Sequence, residues 1–304
     1  MIIVFGSIAM DIVQSVQYLP RPGETVLTAD YAMLPGGKGA NQALAAARAG
    51  AAVRFIASVG KDDFGQRALA NLDQAGINIK GVARRDRPTA CATISVDRDG
   101  ENQIVVSSGA NLATVAGQLN PDEGDLVLQQ MEIPLPEILA GIDLARARGA
   151  KTILNAAPFQ STPAAALDKL DVLIVNEIEA RMLADDLGLD ATDLAGVCAK
   201  VQKRFATTVV LTLGPDGAMA FAHDQALQAG VLPIQALDTV GAGDAFVGAY
   251  VAAMAADLSL EDCLRRGSIA GGLACLWPGA QDGVPDQAAI TAHVDKIKIT
   301  YDYN

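Results

Sequence analysis

Short apolar runs alternate with longer segments of helical period along most of the chain. The apolar runs predict strands at residues 2–5, 53–59, 126–131, 152–155, 172–175 and 209–213. Apolar residues recurring every three or four positions predict helices at 41–49, 64–75, 136–147, 177–187 and 194–205. This alternation predicts a three-layer α/β/α body with a mostly parallel sheet. Ligands of such sheets bind beyond the carboxyl ends of the strands.

Two stretches interrupt that rhythm. Residues 24–34 contain neither glycine nor proline and show no helical period, and residues 89–108 predict two strands around a turn at 97–100. We therefore predict one domain over 1–304, with a small antiparallel β lid formed by about 12–35 and 88–109. Such a lid could cover a cleft, pair edge to edge with a second copy in a homodimer, or do neither. The tail after Pro285 is predicted to form one more helix.

Composition narrows the possible functions. Of 304 residues, 51% are hydrophobic and 19% charged, which indicates a folded globular protein. A net charge of −12 excludes a broad basic surface for nucleic acid or an anionic membrane, so any phosphate site must be local. The four cysteines and two histidines lack zinc-ligand spacing. Since residues 1–11 lack a basic segment and no apolar run approaches about 18 residues, we expect a cytoplasmic protein without membrane contact.

The sharpest local feature is DTVGAGDAF at residues 238–246, followed by a helix rich in small residues. Gly241 and Gly243 allow close backbone approach, and the free N–H groups of a helix's first turn bind anions. Asp244 lies at that positive helix end, where its ionised form is favoured and can accept a hydroxyl proton. Its alternative role is an ordinary helix cap.

A second glycine-rich turn, GGKGANQ, occupies residues 36–42. It fits neither the dinucleotide pattern G-x-G-x-x-G nor a phosphate loop of Walker type, because Gln42 and Gly39 stand where those motifs need other residues. This mismatch argues against a nucleotide-binding oxidoreductase. Taken alone, the turn is as consistent with a structural role as with a binding role.

Together the two motifs resemble the signatures of the ribokinase family of carbohydrate and nucleoside kinases, also called the phosphofructokinase B family. Further matches occur in order at 6–8 with Asp11, 155–158, 176–179, 212–214 with Gly217, and 279–280. The resemblance covers essentially the whole chain and implies ATP-dependent phosphorylation of the primary hydroxyl of a ribose-like sugar, with Mg²⁺. A nucleoside kinase or a fructokinase-type enzyme is the alternative. The intact Asp244 argues against a non-catalytic sugar sensor.

The resemblance also implies roles for individual residues. The catalytic group would comprise Asp244, Gly241, Ala242 and Gly243. Asp244 would be the base, and the N–H groups of Ala242, Gly243 and Asp244 would stabilise charge on the transferred phosphoryl. The sugar side would comprise Asp11, Gly37, Lys38, Asn41, Glu132 and Asp244. The nucleotide side would comprise Asn176, Thr212, Gly214, Gly217, Gly243 and Ser268. Mg²⁺ would lie near Asn176 and Glu179, and a monovalent cation such as K⁺ near Asp238, Val240, Ala274, Trp277, Gly279 and Gly283.

The chain departs from the family's ribose-phosphorylating members at several of these positions. Ala9 and Met10 stand where those members carry Asn and Ala, so an amide for a sugar hydroxyl is missing and the pocket wall is more apolar. Gly283 replaces a serine and Trp277 an arginine. The substrate is therefore less well defined by the resemblance than the fold.

Overall fold

The computed structural model describes residues 1–223 and 225–302, which form a large sheet, a small sheet and a two-stranded ladder. The large sheet has the order β15-β14-β13-β12-β11-β10-β9-β1-β4, parallel from β4 to β12 and antiparallel from β12 to β15. Its strands are β1 (Ile2–Phe5), β4 (Val53–Ile56), β9 (Leu126–Gln129), β10 (Lys151–Asn155), β11 (Val172–Asn176), β12 (Thr208–Thr212), β13 (Ala218–Ala222), β14 (Gln225–Ala229) and β15 (Ile299–Asp302).

Helices cover both faces of this sheet. One face carries α1 (Lys38–Arg48), α2 (Asp63–Gln74), α7 (Ala242–Ala255), α8 (Leu260–Ala274) and α9 (Gln287–Thr291). The other carries α3 (Leu135–Ala147), α4 (Ala164–Leu167), α5 (Glu177–Leu187) and α6 (Leu194–Phe205). Strand residues alternate between the two cores: Val4 packs into the first and Phe5 into the second, both fully buried. This period of two explains why the strands are apolar throughout, since each face is covered.

The small sheet has the order β3-β2-β7-β8 and comprises β2 (Ala9–Ser15), β3 (Ala32–Gly36), β7 (Ala90–Val96) and β8 (Asn102–Ser107). Its outer pairs are antiparallel, whereas β2 and β7 run parallel. Residues 24–31 carry no strand. The segments predicted to form a lid thus meet in one sheet, and β2 follows the carboxyl end of β1, which fixes this sheet beside the strand ends.

The predicted fold class is confirmed. The small sheet differs from the predicted antiparallel lid in its parallel pair β2 and β7, and other differences concern how the apolar runs and the tail divide into elements. The apolar run 53–59 divides at Ala57, because β4 joins the large sheet while β5 (Ser58–Gly60) pairs with β6 (Ala83–Arg85). The tail contains not only a helix but also β15, which pairs with β14. Within residues 1–223 and 225–302, no helix is long and apolar enough to cross a membrane.

Candidate active site

Two helices, α1 and α7, start on the same side of the large sheet and pack closely against each other. The close approach depends on Gly248, where a Cβ atom would lie 2.7 Å from both the Ala46 nitrogen and the Gln42 carbonyl oxygen. A larger residue at this position would force the helices apart. The packing brings the first turn of α1 against the first turn of α7.

The turn before α1 lies against the segment that links β1 to β2. Gly37 has φ +89°, and a Cβ there would lie 2.8 Å from Ile8 Cα, so the position favours glycine both conformationally and sterically. The Gly39 N–H donates to Ser7 Oγ at 3.1 Å. These contacts hold the amino end of α1 at the carboxyl end of β1.

Asp244, in the first turn of α7, is 8% exposed and receives a hydrogen bond on each carboxylate oxygen. Asn41 Nδ2 donates to Oδ2 at 3.0 Å, and Gln42 Nε2 donates to Oδ1 at 2.8 Å. Both donors lie on α1, so a side chain predicted from one motif is oriented by the other. Neither bond is an N-cap bond of Asp244 to its own helix, and the N-cap position is Gly241. The capping alternative is therefore wrong.

The backbone before Asp244 forms a tight turn at the start of α7. Gly241 adopts a left-handed conformation with φ +76°, and a Cβ there would lie 2.6 Å from Ala280 Cα. The Ala242 N–H donates to the Thr239 carbonyl at 3.2 Å. The following N–H groups, of Gly243 and Asp244, belong to the first helical turn, which has no carbonyl partners inside the helix. They are available to an anion.

On the sugar side, Glu132 follows β9 and binds the α1 turn. Its Oε2 accepts from the Lys38 N–H at 2.9 Å and from Ser7 Oγ at 2.5 Å. Asp11 lies on β2, with its carboxylate against Gly36, and burial together with the charge of Glu132 raises the pKa of Asp11 to about 6. The two carboxylates and Lys38 therefore face one region beside the small sheet.

The ammonium group of Lys38 interacts electrostatically with Glu132 in this region, with Glu179 on α5 and with Asp244 on α7. The carboxylate of Asp244 raises the pKa of Lys38 most, Glu132 and Glu179 add to the effect, and burial opposes it. The ammonium group thus stays protonated among three acidic side chains. An anion entering the site meets a cation at its centre.

Asn176 and Glu179 form a reciprocal cap at the start of α5. Asn176 Oδ1 accepts from the Glu179 N–H at 2.9 Å, and Glu179 Oε2 accepts from the Asn176 N–H at 2.8 Å. Glu179 is buried, and desolvation raises the pKa of its carboxyl, with the Asp244 charge adding and Lys38 and the Asn176 N–H opposing. A buried carboxylate of this kind is stabilised by a nearby cation.

Of the residues predicted for the nucleotide, Thr212, Gly214 and Gly217 lie at the end of β12 and in the turn that follows it, and Ser268 lies on α8. Asn176 ends β11 and Gly243 lies in the first turn of α7. Thr212 Oγ1 contacts the Val175 carbonyl at 3.5 Å, Gly214 has φ +54° and Gly217 has φ +92°. A Cβ on Gly217 would overlap the Ala229 carbonyl, so this turn requires glycine. Ser268 is buried on α8, away from this turn in sequence, and its hydroxyl has no hydrogen-bond partner among the described residues.

Asp238 binds two of the residues predicted for a monovalent cation. Its Oδ1 accepts from the Val240 N–H at 3.0 Å and its Oδ2 accepts from the Gly279 N–H at 2.8 Å. Ala274 ends α8 and its carbonyl accepts from the Trp277 N–H at 3.3 Å, while a Cβ on Gly283 would lie 2.7 Å from the same carbonyl. The serine that the family carries at 283 would not fit here without a shift.

The site also contains several polar residues to which the sequence analysis gave no role. Asn111 Oδ1 accepts from the Ile8 N–H at 3.2 Å, and Ser7 links Glu132 to α1. Four further carboxamides are joined by hydrogen bonds behind Asp244: Gln42, Gln130, Asn155 and Gln281. Gln42 lies inside an Ala-rich helix, Gln130 and Asn155 lie at the ends of apolar strands, and Gln281 lies in the loop after α8. These positions alone did not mark a site. In the described part of the chain, no group of three or more His, Cys, Asp or Glu side chains forms a metal cluster.

Comparison with known proteins gives one consistent result. The profile of the pfkB family of carbohydrate kinases matches residues 1–287. The chain is 32% identical over 302 residues to the ribokinase of Lactococcus lactis, covering 97% of each. The crystal structure of ribokinase from Thermotoga maritima superposes with a TM-score of 0.89 at 28% identity, covering 97% of this chain and 99% of that one. Ribokinase of Arabidopsis thaliana complexed with ribose and ATP gives a TM-score of 0.85 at 28% identity over 96% and 98%.

Proposed function

The chain belongs to the pfkB family of carbohydrate kinases, and we propose that it transfers the γ-phosphoryl group of ATP to the primary hydroxyl of ribose or a close pentose. The observation that carries this proposal is Asp244, buried at the amino end of α7 and held by amides from α1. A carboxylate beside free helix N–H groups combines a proton acceptor with an anion cradle. The relatives named as ribokinases, one of them complexed with ribose and ATP, support the sugar and the nucleotide.

The reaction assigns distinct roles to Asp244 and its surroundings. The hydroxyl oxygen of the sugar forms a bond to the γ-phosphorus as the bond to the leaving ADP oxygen breaks, and Asp244 accepts the hydroxyl proton. A carboxylate has about four lone-pair sites, so the bonds from Asn41 and Gln42 leave room for that proton. The N–H groups of Gly243 and Asp244, with Lys38, stabilise charge on the transferred group.

The sugar would be bound by the carboxylates beside the small sheet. Asp11 and Glu132 accept hydrogen bonds from sugar hydroxyls, and Asn41 can both donate and accept. Glu132 already uses Oε2 for Lys38 and Ser7, which leaves Oε1 for a ligand. Gly37 and Lys38 shape the floor of this subsite.

The nucleotide would lie along the turn formed by Thr212, Gly214 and Gly217, with Ser268 on the side of its base. Mg²⁺, when bound, neutralises charge on the phosphates. Mg²⁺ prefers oxygen donors, and the buried carboxylate of Glu179 and the amide of Asn176 supply them.

A K⁺ ion would find oxygen donors in Asp238 and in the carbonyl groups near Val240, Ala274, Trp277, Gly279 and Gly283. Activity that rises with KCl but not with NaCl at constant ionic strength would support that ion.

The small sheet is proposed to act as a lid and as the contact of a homodimer. Every residue of β8 is exposed, including Ile104, Val105 and Val106 at 52–65%. An apolar edge strand of this kind is suited to pairing with a second copy. Sedimentation of a dimer that becomes monomeric in Val105→Lys would support the contact, and a monomeric wild type would exclude it.

The substrate proposal is tested by measuring ADP release with ribose, fructose and inosine as acceptors. We expect kcat/KM to be highest for ribose. A value for inosine more than about tenfold above that for ribose, or about 1.4 kcal/mol in transition-state free energy, would assign the chain to nucleosides instead.

The substitution Ala9→Asn also distinguishes a ribose kinase from a nucleoside kinase, by changing the protein instead of the acceptor. Ala9 is 7% exposed at the start of β2, where an amide would meet the sugar. If a ribose hydroxyl lacks a partner there, restoring the amide should raise kcat/KM for ribose by up to about 10- to 100-fold. A decrease for the best substrate would show that the apolar wall accommodates a bulkier group.

A further inference from the structure

Two chains of carboxamide side chains end on Asp244. In one, Asn71 Nδ2 donates to Gln281 Oε1, Gln281 Nε2 to Asn41 Oδ1, and Asn41 Nδ2 to Asp244 Oδ2, each at 3.0 Å. In the other, Gln130 Nε2 donates to Gln42 Oε1 at 2.6 Å, and Gln42 Nε2 donates to Asp244 Oδ1 at 2.8 Å. In both chains, the N–H₂ group of each amide donates to the next side chain in the direction of Asp244.

The direction of these bonds is fixed by Asp244 itself. An ionised carboxylate only accepts, so Gln42 must present its N–H₂ group to Asp244 and its oxygen to the opposite side. Gln130 must then present its own N–H₂ group to that oxygen. Gln42 Nε2 also donates to Asn155 Oδ1 at 2.9 Å, so both hydrogens of this nitrogen are used.

Gln42 has no other reason to be polar. It is fully buried in α1, among alanines and a leucine that pack in the core, and it lies too deep in this helix to face solvent. Burying an amide is unfavourable unless all its hydrogen bonds are made. The site meets this condition by placing three side chains of different elements around one glutamine.

We propose that Gln42, oriented by Gln130, is a positioning residue that fixes Asp244 Oδ1 in the rotamer in which the carboxylate can accept the sugar proton. The inference rests on the proposed function of Asp244 as the base. Gln42 acts through Asp244 and touches neither substrate. Charged groups that also act on Asp244 are Lys38 and Glu179.

Two substitutions test the role of Gln42. Gln42→Met keeps the volume and removes the donor; we expect kcat to fall about 10- to 100-fold, with KM for sugar and ATP within about threefold. Gln42→Glu places a carboxylate against Asp244. Because two adjacent carboxylates hold one proton strongly, the protonated side chain can again donate to Asp244 at low pH. The kcat of Gln42→Glu relative to wild type should therefore rise as the pH falls, while the deficit of Gln42→Met stays constant.

The matched control is Gln66→Glu, which introduces the same charge at an exposed glutamine of α2 and should leave kcat and its pH profile unchanged. Wild type is measured first, with every acceptor of the panel. Failure of ribose alone would overturn the proposed sugar and leave this test intact with whichever acceptor is phosphorylated. If Gln42→Met unfolds, Gln130→Met tests the same orientation from one residue further away.

Two results would overturn the proposal. One is a folded Gln42→Met or Gln130→Met variant with kcat within about twofold of wild type. The other is a Gln42→Glu deficit that does not change with pH, or that appears only in KM. Either result would make Gln42 a packing residue of α1.

Discussion

At the scale of single residues, burial raises the pKa of Asp11. Its pKa of about 6 arises mainly from desolvation and then from the charge of the neighbouring Glu132. The charge of Asp11 in turn adds to the effect of burial in raising the pKa of Cys91 on β7. An ionised carboxylate accepts hydrogen bonds from two sugar hydroxyls, whereas the protonated form also donates. Sugar binding should therefore favour the ionised form.

We accordingly expect kcat/KM for the sugar to fall about tenfold per pH unit below about pH 6, measured with ATP saturating. In Asp11→Asn this limb should be absent and kcat/KM at pH 7.5 lower. The ionised form that favours sugar binding lowers the stability of the fold, because the raised pKa means that the folded state disfavours ionisation of Asp11. This loss of folding free energy is absent below about pH 4, where Asp11 is protonated in both states, and is complete above about pH 6. Asp11→Asn should thus raise the Tm at pH 7.5. A limb that persists in Asp11→Asn would remove Asp11 from the pH dependence.

At the scale of elements, the start of α5 combines a helix cap with a proposed ion site. Glutamine can replace glutamate in a capping box, so Glu179→Gln should keep the bond from the Asn176 N–H and the stability of the helix. It removes the negative charge. We expect the Mg²⁺ concentration for half-maximal rate to rise several-fold, with an unchanged Tm.

The matched control is Glu177→Gln, on the same helical turn but exposed and paired with Arg181 at 4.0 Å. It should leave the Mg²⁺ titration unchanged. Equal shifts in both variants would indicate general electrostatics, and no shift in Glu179→Gln would remove Glu179 from the surroundings of the metal.

The ends of the helices were predicted from the sequence with different accuracy. α5 and α6 were predicted with their observed ends, because a polar cap precedes each periodic run. The start of α1 was predicted three residues late, since Lys38, Gly39 and Ala40 have the composition of a loop and become helical through contacts with Ser7 and Glu132. Such contacts join residues far apart in the chain, and local pattern cannot reveal them.

At the scale of the whole molecule, the small sheet is the part that we propose closes over the sugar. It shares few core residues with the large sheet, and β8 is exposed throughout. The proposed closure predicts that hydrogen exchange in 24–34 and 89–108 slows on adding ribose, because a closed sheet would exclude water from the sugar. Residues of α6, on the opposite face, serve as the internal control. Protection confined to 240–250 would contradict closure.

The site as a whole was only partly predictable. Asp244 and Lys38 could be singled out from motifs because glycine-rich turns at helix starts have a recognisable chemistry, whereas Glu132 was predicted only through the family resemblance. Gln130, Asn155 and Gln281 could not, since an isolated buried amide has no local signature and acquires meaning only when α1, α7 and the strand ends converge. The fold brings Asp244 and the amides around it together from five regions of the chain.

The most direct test of the proposed mechanism is phosphoryl transfer to ribose by Asp244→Asn, measured in a single turnover alongside calorimetric binding of ribose and ATP. The substitution keeps the size of the side chain and removes the proton acceptor. We expect transfer to slow by at least about 100-fold while both affinities stay within about tenfold. Transfer within tenfold of wild type would contradict the assignment of Asp244 as the base.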